Sequence, residues 1–421
     1  MDRVILHSDI NSCFANIELL YRPELRGRPM AVAGDPESRH GIVLAKEELA
    51  KRAGVKTGMA LWQARKVCPE LTFVAPRMDL YVSVTRQVRR IYSQYTDMQE
   101  GFGIDESWLD LTGCSTRREG ALAADELRRR IKAETGLTVS IGVSWNKVFA
   151  KLGSDYKKPD AVTVIDRANF RDIVWPLPVG DLLYVGRATT RKLRSVGITT
   201  IGELAKASPE LLHSWLGKNG YTLYGYANGL DASPVRRADA EEPVKSIGNS
   251  TTAPRDLESE WDLKTELMAL CERVGMRLRK GMLRGRVIEV SIRSARTLGW
   301  SSRQTTLERA TDVTSEIFTV AKKLCFGLWD GAPARGVGVR ISGLSPANEP
   351  EQMCLFTDDA KRDAQRRLDA ATDAIRGRFG FDSITRGLSM AEPTLRGNHA
   401  EGKSVSVFGI KDRDKYHSLA G

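Results

Sequence analysis

The segment Gly103-Ile104-Asp105-Glu106-Ser107-Trp108-Leu109-Asp110 sets two adjacent carboxylates beside residues typical of a β-strand. Neighbouring side chains on a continuous strand point to opposite faces, so Asp105 and Glu106 cannot both face one metal ion from mid-strand. A tight turn or hairpin tip removes this restriction, and Gly101 and Gly103 supply the backbone freedom for one. Alone, such a pair is more often an exposed turn, so its interpretation depends on the surrounding sequence.

A third carboxylate, Asp9, follows the apolar stretch Val4-Ile5-Leu6-His7-Ser8, which predicts a buried strand. Three carboxylates at the ends of neighbouring strands are what a two-metal phosphoryl-transfer site requires, because Mg²⁺ prefers oxygen ligands and binds the phosphates of a nucleotide. Asp9, Asp105 and Glu106 are therefore the candidate catalytic acids and metal ligands.

Several co-linear segments resemble the motifs of Y-family DNA polymerases, the error-tolerant enzymes of translesion synthesis. The acidic segment resembles the signature SIDEA-x-LD, and Asp9-Ile10-Asn11-Ser12-Cys13-Phe14-Ala15 resembles the opening D-x-[DN]-x-F-[FY]-A. Further segments similar to family motifs are 21–32, 54–59, 140–151 with 157–159, and 245–249. The resemblance runs in order from residue 3 to about residue 345.

The alternation of strands and helices predicts an α/β core. The resemblance implies an α/β (α+β) multidomain fold, the right-hand polymerase with palm, fingers, thumb and C-terminal little finger. The implied bounds are 1–20 and 75–165 for the catalytic palm, 21–74 for the fingers, 166–231 for a thumb with a helix-hairpin-helix, 232–244 for a linker, 245–347 for the little finger, and 348–421 for a clamp-binding motif and tail.

The implied activity is template-directed, low-fidelity addition of deoxynucleotides to a primer 3′-hydroxyl during bypass of DNA damage. The resemblance implies two Mg²⁺ ions, with the backbone carbonyl of Ile10 as a further ligand. It also implies a nucleotide site that contains Cys13, Phe14, Lys51 and Lys158. Phe14 matches the aromatic steric gate, which would clash with a ribose 2′-hydroxyl; a core aromatic is the alternative.

The fingers depart from the family pattern N-Y-E-A-R, which is Glu47-Glu48-Leu49-Ala50-Lys51 here. Lys51 keeps a point charge but loses the two-pronged geometry of Arg. An ionised Glu48 cannot donate a hydrogen bond to a phosphate. The residues leave open whether nucleotide binding is weaker or whether Lys46 or Arg52 substitutes.

Two tracts predict DNA binding. Val185-Gly186-Arg187-Ala188 begins a helix-hairpin-helix pattern, whose helix N-terminus can bind backbone phosphates; Ala188 replaces the usual second glycine. The alternating strands 287–293 and 337–342, with a run of arginines from 277 to 303, predict a basic sheet face. The candidate DNA-binding residues are Gly186, Ala188, Lys245, Arg293, Arg335 and Arg340.

Composition agrees with a polyanionic partner: the 421 residues carry a net charge of +11. The six cysteines form no Cys-x-x-Cys pair, which argues against zinc and disulfides and favours a reducing, cytoplasmic setting. No apolar run approaches the ~20 residues of a membrane span, and no signal peptide is expected.

Beyond Pro350, Gln352-Met353-Cys354-Leu355-Phe356 resembles the peptide by which bacterial polymerases bind the β subunit of the sliding clamp. Gln352, Leu355 and Phe356 are the candidate anchors. Residues 358–378 are predicted to form a charged helix. An accessory subunit of the SOS response is a further possible partner. Asn11 and the tail favour the polymerase V-like branch over the polymerase IV-like branch.

Two alternatives to the polymerase stay open. One is a non-catalytic adaptor of the same fold that binds DNA and the clamp; its family examples lack the acids, whereas all three are present here. The other is a nucleotide cyclase or nuclease with a similar carboxylate site, against which the basic C-terminal tracts argue.

Overall fold

The computed structural model describes residues 2–35, 41–113, 116–240, 243–350 and 359–390. These residues form two compact units. The first contains residues 2–32 and 43–240, and the second contains residues 33–35, 41–42, 243–350 and 359–390. The candidate residues of the clamp motif, Gln352, Leu355 and Phe356, lie outside the described residues, as does the tail from residue 391.

The first unit begins with an α/β region and ends in a helical tract. The α/β region contains β1 (Ile5–Ile10), α1 (Cys13–Tyr21), β2 (Met30–Ala33), β3 (Val43–Lys46), α2 (Glu48–Arg52), α3 (Leu61–Val67), β4 (Thr72–Val74), α4 (Met78–Tyr92), β5 (Gln99–Gly101), β6 (Glu106–Asp110), α5 (Arg117–Thr135), β7 (Val139–Ser144), α6 (Lys147–Tyr156) and β8 (Val162–Val164). The helical tract contains α7 (Phe170–Ile173), α8 (Arg187–Ser195), α9 (Ile201–Lys206), α10 (Pro209–Leu216) and α11 (Lys218–Ala227).

The second unit alternates long strands with long helices. Its elements are β9 (Ser246–Leu257), α12 (Glu260–Lys280), β10 (Leu283–Ser294), β11 (Trp300–Thr311), α13 (Thr314–Leu328), β12 (Ala334–Pro346), α14 (Asp359–Phe379) and α15 (Gly387–Met390). The charged helix predicted for residues 358–378 is confirmed as α14.

The central sheet of the first unit has the strand order β5-β6-β1-β7-β8. All six residues of β1 are buried, as its apolar sequence predicts, and both of its neighbours are antiparallel to it. Helices α1, α4 and α5 contribute side chains to the same core cluster as the sheet, among them Ile17, Val88 and Leu127. The end of β1 that carries Asp9 therefore lies beside the start of β6, in the middle of a rigid sheet.

Helix α6 lies unusually close to β7. A Cβ atom added to Gly142 would lie 1.9 Å from the carbonyl oxygen of Ala150, and one added to Gly153 would lie 3.0 Å from the Cα of Gly142. Only glycine permits this approach. The close packing fixes the face of α6 that carries Lys151 and Ser154 over the sheet.

A second, three-stranded sheet has the order β3-β2-β4. The sequence predicted β2 and β3 within a residue or two, but β4 was missed because Thr72-Phe73-Val74 is too short to show a period. The strand forms because it pairs in parallel with β2, from Met30 opposite Thr72 to Val32 opposite Val74.

Part of the predicted linker packs against the first unit. Val235 is buried in a cluster with Ile5, Trp108 and Ala150, and Arg236 forms a 3.0 Å ion pair with Glu100 of β5. The polar composition of this segment predicted a linker, and Val235 and Arg236 attach this part of it to the first unit.

In the second unit, the antiparallel order β11-β10-β12-β9 is covered on one face by α12 and α13. The predicted alternation is confirmed: Ile288, Val290 and Ile292 of β10 are buried. On the opposite face, Glu289 lies directly across from Arg340 of β12.

Candidate active site

The pairing of β1 with β6 brings two of the three predicted acids together. Asp9 lies directly opposite Glu106 in the antiparallel register, and residues opposite each other share one face of a sheet. Asp105 is the last residue of the preceding bend, and its carbonyl accepts a 3.1 Å hydrogen bond from the backbone N–H of Ile10. The prediction that the acidic pair lies at the end of a strand is therefore confirmed.

The bend that carries Asp105 is held from helix α4. Gly103 adopts a positive φ of 93°, a conformation that glycine accepts readily. Its carbonyl accepts a 2.7 Å hydrogen bond from the guanidinium of Arg89. Arg89 was not identified from the sequence, where it is one of several arginines on a helix.

Two lysines neutralise the carboxylates. The Nζ of Lys151 on α6 lies 2.6 Å from the Oε2 of Glu106, and the Nζ of Lys158 lies 2.8 Å from the Oδ2 of Asp9. Lys158 also forms a 2.7 Å ion pair with Asp155. Burial works against the charge of Lys158, but Asp9 and Asp155 outweigh it and raise the pKa of this ammonium.

The pKa values of the acids reflect their burial and their charged neighbours. Burial raises the pKa of Asp9; Lys158 opposes this effect and Glu106 adds to it. Burial and the Glu106 charge also raise the pKa of Asp105. Burial would raise the pKa of Glu106 as well, but its contacts with His7 and Lys151 outweigh burial and lower it.

His7 lies beneath Glu106 and is fully buried. Its Nδ1 is 2.8 Å from the hydroxyl of Ser154, and its Nε2 is 3.3 Å from the Oε2 of Glu106, without the alignment of a hydrogen bond. Burial lowers the pKa of His7 to about 4, so the imidazole is neutral at neutral pH. His7 was missed as a site residue, although a histidine within an apolar strand was a signal that could have identified it.

Asn11 supports the loop of Lys158. Its side-chain N–H donates to Ser140 at 2.9 Å, and its side-chain oxygen accepts from the backbone N–H of Asp160 at 2.9 Å. Both ends of the buried amide are therefore used within the fold, two residues from Lys158. This is the physical role of the residue that occupies the third position of the opening motif.

Phe14, the predicted steric gate, is half-buried on α1. Its ring stacks on that of Tyr81 with a centroid distance of 4.5 Å, and the Tyr81 hydroxyl donates a 2.6 Å hydrogen bond to Glu18. Cys13 precedes Phe14 and is buried, and burial raises the pKa of its thiol. The Phe14 ring thus has a fixed position on the helix that begins three residues after Ile10.

In the segment predicted to hold the triphosphate, the charges pair locally. Glu48 lies 3.4 Å from the Nζ of Lys51 and 3.6 Å from the Nε of Arg52. Lys46 donates a 3.2 Å hydrogen bond to Thr57, and burial lowers its pKa. Glu47 is the N-cap of α2 and accepts hydrogen bonds from Leu49 and Ala50.

The residues predicted to form the hairpin lie at the start of helix α8. Gly186 is the N-cap of α8, and open space surrounds the position of its missing Cβ. Ala188 lines a cavity of about 260 Å³ together with Tyr184, Lys192 and Trp215. Helix α8 carries four cationic side chains and no acidic one: Arg187, Arg191, Lys192 and Arg194.

The candidate DNA-binding residues of the second unit differ in their surroundings. Arg340 forms an ion pair with Glu289 across the outer face of the sheet. Arg293 donates to the carbonyl of Leu298 at 3.2 Å and lies over the ring of Trp300. Lys245 is exposed and Arg335 is half-buried.

The predicted run of arginines does not form one basic face. Arg279 is turned inward to Asp373 at 2.6 Å, and Arg284 is buried and donates to the carbonyl of Glu349. The sequence pattern could not separate these side chains from the exposed ones, because their partners lie 60 to 95 positions away along the chain.

Comparison with known proteins identifies related domains along the chain. Residues 8–155 match the impB/mucB/samB family, residues 244–355 match the C-terminal domain of that family, and residues 180–231 match the thumb domain of DNA polymerase-iota. A solved Y-family DNA polymerase chimera assembled from Dbh and Dpo4 aligns with a TM-score of 0.72 at 22% identity, over 80% of this chain and 98% of that one. The fold is thus the α/β right-hand architecture of palm, fingers, thumb and little finger.

Relatives along the whole chain are closer in sequence. DNA polymerase IV of Acetivibrio thermocellus is 47% identical over 94% of this chain and 99% of its own length. DNA polymerase IV of Pelotomaculum thermopropionicum is 39% identical over 92% and 95%, and that of Moorella thermoacetica is 39% identical over 92% and 96%. The chain belongs to the Y-family of DNA polymerases. These relatives are named DNA polymerase IV, so they do not support the expectation, based on Asn11 and the tail, that the chain belongs to the polymerase V-like branch.

Proposed function

We propose that Asp9, Asp105 and Glu106 are the catalytic acids of a template-directed, low-fidelity translesion DNA polymerase that extends a primer 3′-hydroxyl with deoxynucleotides. The observation that carries this proposal is the facing pair Asp9 and Glu106 on adjacent strands, with Asp105 in the adjoining bend. The buried Asp9 and the half-buried Glu106 each hold a lysine ammonium group within 3 Å. The non-catalytic adaptor would not require this arrangement.

The donor set fits divalent cations. In the arrangement observed, no three Asp, Glu, His or Cys side chains among the described residues converge to hold a metal. Lys151 and Lys158 lie against Glu106 and Asp9, respectively. All three acids are hard oxygen donors. Burial and, to a smaller extent, the Glu106 charge raise the pKa values of Asp9 and Asp105, and a bound cation would oppose both effects. Asp9, Asp105, Glu106 and the carbonyl of Ile10 would hold two Mg²⁺ ions, which when bound would activate the primer hydroxyl and stabilise the leaving pyrophosphate.

The remaining residues bind and select the nucleotide. Lys158 leaves Asp9 and meets the triphosphate, an exchange of one anionic partner for another. Lys151 stays on α6 and, with His7, holds Glu106. Phe14, supported by Tyr81 and next to Cys13, excludes a ribose 2′-hydroxyl, and Lys51 is the second cation for the triphosphate.

The other domains bind the primer-template. We assign palm, fingers, thumb, linker and little finger to the bounds predicted from the sequence. Gly186 and Ala188 approach one stretch of backbone, and Lys245, Arg293, Arg335 and Arg340 approach another. The motif of Gln352, Leu355 and Phe356 binds the β subunit of the sliding clamp. The enzyme works in the cytoplasm during the SOS response, and an accessory subunit is a further partner. No helix in the described part of the chain is long and apolar enough to span a membrane.

Primer extension with Mg²⁺ tests the proposal. Glu106→Gln and Asp105→Asn should each reduce the single-turnover rate by roughly a hundredfold or more, because they remove charge at the reacting centre. Primer-template affinity should be unchanged, because it depends on phosphate contacts elsewhere. Glu126→Gln, at an exposed carboxylate of α5, is the matched control. Extension at the wild-type rate by either site variant would exclude the assignment.

A further inference from the structure

Helix α14 presents its faces in the reverse of the usual order. Surface helices normally turn an apolar stripe to the protein and a charged face to water. In α14 the buried residues are Asp369 and Arg376, whereas Leu368 is 51% exposed, Ile375 38% and Phe379 70%. At 100° per residue the three apolar side chains fall within about 40° of one another. They form one continuous outward stripe, which we call the α14 stripe.

The orientation of α14 is fixed by ion pairs with its own domain. Arg279 of α12 contacts Asp373 at 2.6 Å and Asp369 at 3.3 Å. Asp369 also accepts a 2.7 Å hydrogen bond from the backbone N–H of Thr314.

A second group of ion pairs lies near the C-terminal end of α14. Glu272 of α12 contacts Arg376 and Arg386 at 3.1 Å each. Rotating the helix to bury the stripe would leave these charges buried without partners, which is strongly unfavourable. The apolar face is therefore outward because the charged face is specifically bound.

The charges along the stripe indicate the character of a partner. Arg367 and Arg378 are both exposed and border the stripe on one side. The acids of α14 are directed to arginines of the same domain: Asp359 to Arg309 at 2.6 Å and Asp363 to Arg366 at 3.6 Å. An apolar stripe with a basic border complements an apolar surface with an acidic border.

A second copy of the chain is a poor match. Antiparallel pairing of two α14 stripes would place Leu368 against Ile375 of the other helix. The same two-fold axis would bring Arg367 of one helix beside Arg378 of the other, with no acid between them. Duplex DNA is also a poor match, because its backbone is recognised by cations and polar groups and gains little from three large apolar side chains.

We propose that the α14 stripe is a docking surface for a protein partner that presents an amphipathic helix with aliphatic side chains flanked by Asp or Glu. The stripe spans the twelve residues from Leu368 to Phe379, about 16 Å, which is about three helical turns. Leu368, Ile375 and Phe379 are the anchors, and Arg367 and Arg378 select the acidic flank. This surface is separate from the proposed catalytic site and does not depend on its assignment.

Two synthetic helices of about four turns test the proposal. They share one leucine face and carry either Glu or Lys beside it, and their binding to the full chain is measured by fluorescence anisotropy. The Glu peptide should bind saturably and about tenfold or more tightly than the Lys peptide. Combined Leu368→Ser, Ile375→Ser and Phe379→Ser should weaken it by about tenfold or more. Ala370→Ser with Ala374→Ser, on another exposed face of α14, is the matched control and should change nothing.

The charge preference supplies an independent arm. Arg367→Glu with Arg378→Glu should reverse the preference between the peptides. Equal affinity for both peptides, no saturable binding, or binding that survives the triple serine variant would overturn the proposal. Three other results would also overturn the proposal. The first is self-association in sedimentation that the triple variant abolishes, and the second is an affinity for duplex DNA that the triple variant lowers. The third is a rise in Glu-peptide affinity when Val407→Ser and Phe408→Ser are introduced into the tail. These would assign the stripe to a second copy, to DNA or to the chain's own tail, respectively.

Discussion

At the scale of single residues, the site depends as much on supporting side chains as on the acids. Asn11 uses its whole amide to attach the Lys158 loop, and Arg89 holds the bend before Asp105. His7 contributes a neutral ring below Glu106 rather than a charge. A substitution at any of these positions should displace one of the proposed catalytic groups without removing it.

Phe14→Ala should relax sugar discrimination, so that ribonucleotide insertion rises relative to deoxyribonucleotide insertion. Because the ring is held by stacking on Tyr81, Tyr81→Ala should relax discrimination in the same direction but less. Tyr81→Phe removes only the hydrogen bond to Glu18 and should keep the wild-type ratio. The measurement is kcat/KM for matched ribo- and deoxyribonucleotides. An unchanged ratio in Phe14→Ala would identify Phe14 as a core residue.

At the scale of elements, the ends of helices and the faces of sheets carry the charge interactions. Asp262 lies in the first turn of helix α12, and its carboxylate accepts hydrogen bonds from Arg255 and from the backbone of Glu258 and Ser259. Sheet β11-β10-β12-β9 carries a facing pair, Glu289 and Arg340, on its outer side. Each arrangement leads to a measurable prediction.

Asp262 should stabilise the second unit in a pH-dependent manner. The hydrogen bond from Arg255 and the backbone bonds lower its pKa to about 2, below the ordinary value of 3.8. Its contribution is therefore present above about pH 4 and is lost as the pH falls towards 2, which corresponds to about 2 kcal/mol. Asp262→Asn should lower the opening free energy of α12 by this amount at pH 7, measured by hydrogen exchange, and by less near pH 2.

The control for this experiment is Glu260→Gln, an exposed carboxylate in the same turn that pairs with Lys264. It should change the opening free energy by less than about 1 kcal/mol. A deficit in Asp262→Asn that stays constant from pH 7 to pH 2 would show that packing, rather than the charge, is responsible.

The outer sheet face should respond asymmetrically to charge changes. If Arg293 contacts a phosphate as proposed, Arg293→Ala should flatten the slope of log K against log salt by about one unit. Arg340 is paired with Glu289, so Glu289→Gln should release it, tighten primer-template binding and steepen the slope by up to about one unit. Ser291→Ala is the control, because Ser291 lies between Glu289 and Arg293 on β10. Weaker binding with an unaltered slope in Arg293→Ala would mean that this face does not contact DNA.

At the scale of the whole molecule, lysines and arginines outnumber aspartates and glutamates by 11, and many of these charged residues are engaged in local ion pairs. Many arginines of the second unit form ion pairs with its own acids, so the total of 64 lysines and arginines overstates the number of cations available to DNA. The similarity to DNA polymerase IV enzymes extends over almost the full length of the chain. Because the similarity covers almost the whole chain, the separate local sites can be interpreted as parts of one enzyme.

Leu355→Ala with Phe356→Ala should leave extension of a short primer-template unchanged but abolish its stimulation by a loaded sliding clamp. Two large apolar anchors typically contribute ~2 kcal/mol or more each to the binding of such a peptide. Loss of the tether lowers the effective concentration of the enzyme at the primer end. The measurement is product length with and without the clamp; loss of basal activity would place these side chains in a core instead.

The sequence by itself was sufficient to predict the three candidate acids, the strands that end beside them, the alternating sheet of the second unit and the helix α14. Apolar periodicity and short motifs are local features, so they can be recognised in the sequence without knowing which distant residues each side chain contacts. Tertiary structure alone decided that Lys151 and His7 meet Glu106, that Val235 attaches the linker, and that Arg279 turns inward to α14. These contacts join residues 45 to 230 positions apart or depend on close helix–sheet packing at Gly142, and no local pattern contains that information.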